Sequence, residues 1–245
     1  MKLQIEVTTR CNFDCFYCAG RDMAQADLPM ERYLAIVKRH VSQYGVPRVI
    51  SLQGEGEPTL NKSFFEMAAY ARSIGSEPYT ITNGTYKYPE HFKDDFTRIG
   101  VSIDTLNEEE ASRIGRHNLA RTIEFVFALY GELDIVIHSV ATSPSAHDVA
   151  TWSKDHGLSH IMQELQSKDD FSYRYRDRVT MHPRPQKYRC RYVEQALVRY
   201  VNLEEKELPC VYIKDTQSFV SVADLRQRLA RRETPSCCLG CRELK

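Results

Sequence analysis

The sequence predicts an α/β fold, a partial (βα)6 barrel of parallel strands with a small C-terminal α+β extension. Three observations lead to this prediction. Strand-like and helix-like segments alternate over the first two thirds of the 245 residues, which is typical of repeated βα units around a parallel sheet. Unusual polar and sulfur-containing residues follow the ends of these strands. After about Ser167 the composition changes, and five of the eight cysteines lie beyond that point.

Six short segments rich in β-branched and aliphatic residues predict the strands. In chain order they read LQIEVTT, PRVISLQ, PYTITNG, GVSIDT, LDIVIHSV and HIMQEL. Six βα-type repeats are two short of a full eight-stranded barrel, so we expect a barrel that stays open. In parallel βα architectures the reactive face lies at the carboxyl ends of the strands, and we expect the functional site there.

Helices are predicted between these strands. The first covers residues 29–44, where apolar side chains recur at helical spacing and Gly45 follows as a stop signal. The segments KSFFEMAAYARSIG and HFKDDFTRIG repeat this pattern of an apolar stripe and a final glycine. A long helix is expected over residues 108–130 and a short one over 149–156.

The last third of the chain predicts a connector and a second small unit. Residues 168–187 are rich in Tyr, Arg and Pro without a clear period, which favours an ordered connector or a lid over the site. Between Cys190 and Cys210, the segments ALVRYVN and ELPCVYI predict two strands joined by the polar turn LEEKE, and VADLRQRLARR predicts a helix after them. The expected division is residues 1–167 for the barrel, the connector, and residues 188–245 for a cysteine-rich domain.

Composition restricts the classes of function. Lys plus Arg and Asp plus Glu both number 33, so the formal net charge is zero and no global field favours nucleic acid or an anionic membrane. The first residues, MKLQIEVTTRC, lack the features of a signal peptide, and no stretch is apolar enough to span a bilayer. Eight cysteines without a secretion signal favour metal-bound thiolates in a reducing cytosol, so we expect a cytoplasmic protein without nucleic-acid or membrane partners.

The first cysteines form a compact loop directly after the first strand. Cys11, Cys15 and Cys18 lie in the sequence CNFDCFYC. Three thiolates so close in sequence can bind three corners of an iron–sulfur cube, for which cysteine is the usual ligand. A structural zinc site normally has four protein ligands, whereas three leave one position open for a reactive group. Zinc is the alternative for this spacing taken alone, and the aromatic Tyr17 beside the third cysteine counts against it.

The loop CNFDCFYC resembles the CxxxCxΦC signature of radical S-adenosylmethionine (SAM) enzymes, with Tyr17 at the aromatic position. This resemblance implies a [4Fe-4S] cluster on Cys11, Cys15 and Cys18, whose open iron chelates the amino and carboxylate groups of SAM. It also implies that an electron from the reduced cluster breaks a carbon–sulfur bond, usually releasing a 5′-deoxyadenosyl radical. The partners it implies are an electron donor such as flavodoxin or ferredoxin and a small-molecule or peptide substrate.

The sequence GEGEP after the second strand looks like the Gly-Gly-Glu motif of the same family, with Glu55 in place of one glycine. Small residues at Gly54 and Gly56 let the backbone approach SAM closely. Glu57 is expected to accept a charge-assisted hydrogen bond from the amino group of SAM. An ordinary βα turn is the alternative.

Further candidates lie along the third and fourth strands. Asn83 ends the third strand, where the family often approaches adenosine or substrate, and a plain Asn-Gly turn is the alternative. Ser102 and Asp104 point to one side of the fourth strand, at the position where the family binds the ribose hydroxyls. Arg116 is expected to pair with the carboxylate of SAM, and a solvated helical arginine is the alternative.

The C-terminal cysteines resemble a second known arrangement. Their order is a cysteine, a hairpin, a cysteine after Leu-Pro, a helix and a Cys-x-x-Cys pair, which resembles the twitch domain, the short form of the SPASM extension. The resemblance implies a second iron–sulfur cluster on Cys190, Cys210, Cys238 and Cys241, with Cys237 as a spare thiol. Zinc is the alternative here, because four thiolates also make a closed structural zinc site.

The tail SCCLGC also resembles the RCCLKC tail of radical SAM enzymes of arsinothricin biosynthesis, although Ser236 and Gly240 replace the Arg and Lys of that motif. This resemblance implies transfer of the 3-amino-3-carboxypropyl group of SAM to arsenic(III), which prefers thiolates such as Cys237. The alternatives are a twitch-type dehydrogenase or peptide-modifying enzyme that uses the 5′-deoxyadenosyl radical, and a non-enzymatic ferredoxin-like or zinc-binding protein.

Overall fold

The computed structural model describes residues 2–168, 172–179 and 187–245. Strands and helices alternate through its first two thirds, as the sequence predicts. In chain order the elements are β1 (Lys2–Ile5), α1 (Met30–Tyr44), β2 (Val49–Leu52), α2 (Phe64–Ser73), β3 (Glu77–Tyr79), β4 (Ile81–Thr82), β5 (Arg98–Ser102), α3 (Glu108–Ile114), α4 (Leu119–Leu129), β6 (Asp134–Ala141), α5 (Ala146–Asp155), β7 (Ser159–Glu164), α6 (Arg191–Gln195), β8 (Val198–Val201), β9 (Glu207–Leu208) and α7 (Val222–Ala230).

The strands form one curved wall made of two sheets. Their orders are β3-β2-β1-β8-β9 and β4-β5-β6-β7, and every pair is parallel except the hairpin β8–β9. Thr80 links the two sheets, because its Oγ1 donates to the Leu52 carbonyl at 2.7 Å and its own carbonyl accepts from the Gly100 amide at 2.8 Å. Within the described residues no strand pairing joins β7 to β9, so the barrel is open on that side. The predicted α/β partial barrel is confirmed.

Two predicted segments of the barrel differ from the structure. PYTITNG, predicted as one strand, is divided into β3 and β4 because Thr80 is shared between the two sheets. The helix predicted over HFKDDFTRIG is a short 3-10 helix at Pro89–Asp94 instead, and β5 already begins at Arg98. Phe92 and Phe96 are buried there, and their ring centroids lie 6.0 and 5.8 Å from that of Phe64. This segment is too short for an α-helix before β5 begins, and aromatic packing fixes its position instead.

The single helix predicted over residues 108–130 is wrong, because α3 and α4 are separate. Gly115 (φ 92°) and Asn118 (φ 63°) adopt left-handed conformations between them, which interrupts the helical hydrogen bonding. A Cβ atom on Gly115 would lie 2.6 Å from the Asp14 carbonyl oxygen. The glycine thus lets the cysteine loop pack directly against the end of α3.

The C-terminal part shares the sheet of the barrel and has a hydrophobic core of its own. β8 pairs with β1 in parallel, with Leu3 opposite Arg199. The smaller core includes Val193 and Leu225 from α6 and α7, together with the buried cysteines. The predicted hairpin is present, but β9 ends before Pro209, which has no amide hydrogen to continue the ladder. The helix α6 was not predicted, and the division of the chain at 167 and 188 stays a prediction.

Part of the predicted connector is described. Lys168 and residues 172–179 pack beside the barrel, and the buried Tyr175 donates its hydroxyl to the Gln166 carbonyl at 2.5 Å. The remaining connector residues, apart from Lys187, lie outside the described residues. None of the helices that the structure describes has the length and apolar character required to cross a membrane.

Candidate active site

The cysteine loop is held in place by backbone hydrogen bonds to the end of α3. The amides of Asp14 and Phe16 donate to the carbonyls of Gly115 and Ile114 at 3.1 and 3.0 Å. Inside the loop, the Cys18 amide donates to the Cys15 carbonyl at 3.0 Å. The break between α3 and α4 thus exposes the carbonyls that fix the loop, which explains why the continuous helix expected from periodicity cannot form.

Cys11, Cys15 and Cys18 line one open cavity of about 760 Å³ at the carboxyl ends of the strands. The wall also contains most of the other residues expected to contact a cofactor, namely Tyr17, Gly54, Gly56, Glu57, Asn83, Ser102 and Arg116. Asp104 is the exception, because it is 1% exposed and lies behind this wall. The structure therefore brings the predicted residues together at the predicted face of the barrel.

Tyr17, Asp104 and Arg116 form a buried hydrogen-bond network. The Tyr17 hydroxyl and the Arg116 Nε donate to Asp104 Oδ2 at 2.5 and 2.6 Å, and Arg116 Nη2 donates to the Tyr17 oxygen at 2.7 Å. The Val140 amide donates to the other carboxylate oxygen at 2.7 Å. Burial lowers the pKa of Arg116, but the neighbouring Asp104 carboxylate raises it by more than burial lowers it. The pKa therefore lies well above its usual value, and the guanidinium stays charged.

This network links the cysteine loop to β5 and β6 and to the turn between α3 and α4. The expectation was that Asp104 contacts ribose and that Arg116 contacts the carboxylate of SAM. In the structure the two side chains are ion-paired with each other, with side-chain exposures of 0% and 14%. Arg116 also lines the cavity, so it can contact a ligand while it is paired with Asp104. Contact of Asp104 with a ligand stays a prediction.

The turn GEGEP is fastened to the backbone of the cysteine loop. The amides of Gly56 and Glu57 donate to the carbonyls of Thr8 and Arg10 at 3.1 and 2.8 Å. A Cβ atom on Gly56 would lie 2.4 Å from the Arg10 carbonyl oxygen, so only glycine permits this approach. Gly56 therefore lets the turn pack against the cysteine loop. This packing requires a small residue at position 56 in addition to any need for access to a ligand.

Glu57 braces the ends of two strands. Its Oε1 accepts from the hydroxyls of Thr59 and Thr82, both at 2.7 Å, and its Oε2 accepts from the Asn83 amide at 2.7 Å. Burial raises the pKa of this carboxyl, while these hydrogen bonds lower it. A carboxylate oxygen can accept two hydrogen bonds. Oε2 therefore has capacity for a donor from a ligand, in addition to its role inside the chain.

Glu55 is largely buried, with a side-chain exposure of 15%, and contacts both the cysteine loop and the C-terminal part. Its Oε2 accepts from the Gly20 amide at 3.2 Å and lies 3.6 Å from the Cys18 sulfur. Its Oε1 forms an ion pair with Lys214. Burial would raise the pKa of Glu55, but Lys214 lowers it below its usual value, so both partners are charged.

The five C-terminal cysteines lie together in a second, small cavity. Its wall contains Cys190, Cys210, Cys237, Cys238 and Cys241 with the buried Lys168. Lys168 Nζ donates to the carbonyls of Tyr212 and Cys237 at 2.5 and 2.7 Å. The sulfurs of Cys237 and Cys238 are 3.9 Å apart, and this contact lowers the pKa of Cys237 and raises that of Cys238.

The two cavities share part of one wall. Tyr192, Tyr212 and Glu243 line both of them, and the rings of the two tyrosines pack edge to face with centroids 6.0 Å apart. Arg191 and Arg242 also line the larger cavity. Arg191 is paired with Glu243 at 3.1 Å. None of the five C-terminal cysteines, all of them in the described part of the chain, lines the larger cavity.

Sequence reasoning missed several residues of the site. Lys168, Lys214 and the tyrosines of the shared wall come from segments without a recognisable motif. Lone Lys and Tyr residues on either side of a hairpin carry no local signal of burial, so only the three-dimensional packing identifies them. In the described ranges, no three His, Cys, Asp or Glu side chains are arranged to hold a single metal ion. An iron–sulfur cube places its thiolate ligands on different irons, so a wider spacing of the sulfurs suits it.

Comparisons with known proteins agree on one family. The sequence model of the Radical SAM superfamily matches residues 5–179. An S-adenosylmethionine-dependent nucleotide dehydratase of Selenomonas ruminantium is 27% identical over 180 residues, which cover 67% of this chain and 62% of that protein. A probable GTP 3',8-cyclase of Pyrococcus abyssi is 31% identical over 116 residues, which cover 46% of this chain and 37% of that protein. The matches thus span less than two thirds of each relative's own length.

Solved structures give the same result for the fold. Streptococcus suis SuiB bound to S-adenosylmethionine superposes with a TM-score of 0.71. The superposition covers 99% of this chain and 71% of that chain, at 13% sequence identity. At this identity the similarity concerns the fold alone.

Proposed function

The chain belongs to the radical SAM superfamily, and from this premise we propose that it cleaves SAM reductively at a [4Fe-4S] cluster bound by Cys11, Cys15 and Cys18. The reaction would modify a small molecule or a peptide bound in the same cavity. The observation that carries this proposal is the common wall of the cavity, in which the three cysteines, GEGEP and the C-terminal tyrosines face one another.

The residues present fit the two cofactors that superfamily membership implies. All eight cysteines lie in the described part of the chain, and three of them line this cavity, which matches a cluster that keeps one iron open. A volume of about 760 Å³ lies in the range of sites that enclose small molecules. When bound, the cluster and SAM supply a one-electron cleavage of a carbon–sulfur bond.

The chain's own residues would bind and orient SAM. The backbone at Gly54 and Gly56 allows close approach, and Glu57 Oε2 can accept from an amino group. Asn83 and Ser102 offer polar groups at the ends of the neighbouring strands β4 and β5, and Arg116 offers a charge-assisted donor. Because these groups are fixed by hydrogen bonds inside the chain, little reorganisation is needed when the ligand binds.

The C-terminal part would close the cavity over the substrate. Tyr192 and Tyr212, together with Tyr200 on β8, line the cavity, and we propose that they exclude water from the reacting groups. The names of the similar proteins include enzymes that act on nucleotides. Arg191 and Arg242, which are paired with Glu243 and Glu164, line the cavity and offer donors to a substrate with anionic groups. We propose an external electron donor such as flavodoxin or ferredoxin.

Four of the C-terminal cysteines would hold a second iron–sulfur cluster. We propose Cys190, Cys210, Cys238 and Cys241 as the ligands, as the twitch resemblance implies. Their common buried cavity supports the proposal, and so does the buried ammonium of Lys168, which suits a site of negative charge. Stoichiometric zinc in anaerobically purified protein would contradict it.

Transfer of an aminocarboxypropyl group to arsenic(III) has less support from the site. That reaction would need a thiolate that holds arsenic next to SAM. Cys237 is 3% exposed and lies in the second cavity, behind the wall formed by Tyr192 and Tyr212. We therefore favour chemistry that ends in 5′-deoxyadenosine over transfer to arsenic.

The test is anaerobic reconstitution with iron and sulfide, followed by incubation with SAM and dithionite. Mass spectrometry is expected to detect 5′-deoxyadenosine, and the triple variant Cys11→Ala, Cys15→Ala, Cys18→Ala is expected to produce none. Retention of about half of the iron in that variant would identify the second cluster. Methylthioadenosine as the main product, with a dependence on arsenite, would establish the transfer reaction instead. Reductive cleavage by the triple variant would overturn the proposal.

A further inference from the structure

One residue of GEGEP departs from the glycine expected by resemblance, and its side chain reaches the C-terminal part. Glu55 forms an ion pair with Lys214, which follows β9. Both side chains are largely buried, with exposures of 15% and 12%. A glycine at position 55 could not make this contact. The pair thus joins the turn after β2 to the C-terminal part of the chain.

The same carboxylate contacts the cysteine loop. Glu55 Oε2 accepts from the Gly20 amide at 3.2 Å and lies 3.6 Å from the sulfur of Cys18. The Glu55 carbonyl oxygen also lies 3.6 Å from this sulfur and accepts from Arg21 Nη2 at 3.2 Å. Residue 55 therefore touches the third cysteine of the loop through both its side chain and its backbone.

Glu6 connects the pair to the strand that the C-terminal part adds to the barrel. Its Oε1 accepts from the Glu55 amide at 3.0 Å, and its Oε2 accepts from the Leu203 amide at 3.2 Å. Leu203 lies in the hairpin turn, two residues after the end of β8. Glu6 is 1% exposed. Two acidic side chains and one lysine are thus grouped around residue 55, which contacts Cys18.

Buried charges of this kind seldom increase stability, because desolvation opposes the attraction between them. Removing one partner leaves an uncompensated charge, which is strongly unfavourable. The charge of Lys214 acts directly on the Glu55 carboxylate, and this carboxylate links it to the Cys18 sulfur, which lies 3.6 Å from Glu55 Oε2. This location distinguishes the pair from exposed ion pairs between the same two parts of the chain.

We propose that Glu55 and Lys214 are a positioning pair through which the C-terminal part of the chain fixes Cys18 and sets the electrostatic potential at the cluster bound by the first three cysteines. The inference rests on the proposed function. It makes the C-terminal part a component of the SAM-cleaving site, in addition to any role of its own cysteines. A positive charge at Lys214 favours addition of an electron nearby, whereas an uncompensated Glu55 carboxylate opposes it.

The test compares the wild type with Lys214→Met, Glu55→Gln and the double variant. The reduction potential is measured by an anaerobic redox titration of the electron paramagnetic resonance signal that changes when SAM is added, because only the SAM-binding cluster responds to SAM. In Lys214→Met we expect a more negative potential and a SAM cleavage rate lower by about tenfold or more. In the double variant the carboxylate charge is also gone, so the potential is expected to return towards the wild-type value.

Arg32→Gln is the matched control. Arg32 on α1 pairs with Glu205 of the hairpin turn at 2.6 Å and thus joins the same two parts of the chain. The side-chain exposures of this pair, 45% and 29%, are higher than those of Glu55 and Lys214, and neither residue lines the cavity of the cysteine loop. This variant is expected to keep the wild-type potential and cleavage rate. Thermal unfolding of all variants is recorded, so that a loss of folding is distinguished from a change in potential.

The outcomes separate this inference from the proposed function. An unchanged potential in Lys214→Met, with wild-type cleavage of SAM, would overturn the positioning pair alone. Equal shifts in Lys214→Met and in the double variant would also overturn it, because charge compensation would then play no part. A wild type that binds no cluster at the first three cysteines would overturn the proposed function itself. If Lys214→Met fails to fold while the double variant folds with a near wild-type potential, charge compensation is established directly.

Discussion

At the scale of single residues, one hydroxyl group links the cysteine loop to the strands behind it. Tyr17 differs from phenylalanine only in the oxygen that donates to Asp104 and accepts from Arg116. Sequence reasoning identified the aromatic position and the two charged residues separately. It did not identify their contact with one another, because the three residues are far apart in the chain and no local pattern joins them.

Tyr17→Phe is expected to lower the free energy of unfolding by about 1–3 kcal/mol, because it removes one of the two side-chain donors to Asp104 Oδ2 and the acceptor of Arg116 Nη2. Iron content after reconstitution should stay normal, since the three cysteines are unchanged. Chemical denaturation and iron analysis measure the two quantities. Tyr79→Phe removes a hydroxyl bonded to His138 at 3.0 Å, away from the cysteine loop, and is the control for stability alone.

A comparison of SAM affinity completes this prediction. If the network positions the loop, Tyr17→Phe should weaken SAM binding and Tyr79→Phe should not. Equal SAM affinity in wild type and Tyr17→Phe, together with an unchanged stability, would contradict a bracing role for the hydroxyl.

The two adjacent cysteines near the end of the chain give a second prediction at this scale. Cys237→Ala is expected to keep the iron of both sites, whereas Cys241→Ala is expected to lose the second cluster. The reason is that the proposed ligand set uses Cys238 and Cys241 but not Cys237. Iron and zinc analysis with absorption spectra measures the difference. If Cys237→Ala loses the second cluster and Cys238→Ala retains it, the ligand is Cys237 and not Cys238, and the proposed ligand set is wrong.

At the scale of elements, the sequence correctly predicts those helices that have an apolar stripe and a glycine directly after their last turn. The prediction for α1 differs from the structure by one residue at its start, because Gly45 gives a clear end. The prediction of a single helix over residues 108–130 is wrong because no local signal marks its break. Its apolar spacing continues across Gly115, and the break depends on packing of the cysteine loop, which is a long-range contact.

Gly115→Ala tests the importance of this break. The substitution places a Cβ atom against the Asp14 carbonyl and requires a left-handed conformation of alanine, which costs about 1–2 kcal/mol before any clash. We expect a lower melting temperature and a loss of iron from the first site, because the loop would shift. Gly131→Ala is the control, since Gly131 also has a positive φ but no atom near its Cβ position. Similar iron contents in both variants would contradict a specific role for Gly115.

At the scale of the whole molecule, the class of fold and the face of the site followed from the order of strands and motifs. Parallel strands bring their carboxyl ends to one face, so the cysteine loop, GEGEP and Asn83 could be expected to meet. The contribution of the C-terminal part could not be predicted in this way. Lys168, Lys214 and the pairing of β8 with β1 depend on tertiary contacts between distant segments, for which single residues carry no periodic signal.

A truncated chain ending at residue 167 tests how independent the barrel is. Without β8, the edge of β1 has unpaired backbone groups, and the tyrosine wall of the cavity is absent. Exposed strand edges promote association, so we expect the truncated protein to aggregate. A second truncation after Ile213 keeps the hairpin and should remain more soluble. Size-exclusion chromatography compares the two, and a monomeric, cooperatively folding 1–167 chain would contradict the expectation.

The parallel pairing of β1 with β8 also affects the order in which a nascent chain can fold. β1 is synthesised first, but its partner emerges roughly 200 positions later, which takes about 10–40 s at 5–20 residues per second. During that interval the cysteine loop and the strands around it can form contacts, while the wall that closes the cavity does not yet exist. If these cysteines bind the proposed cluster, we expect them to be accessible to the machinery that delivers iron and sulfide before the chain is complete, with closure by the hairpin as a late step of maturation.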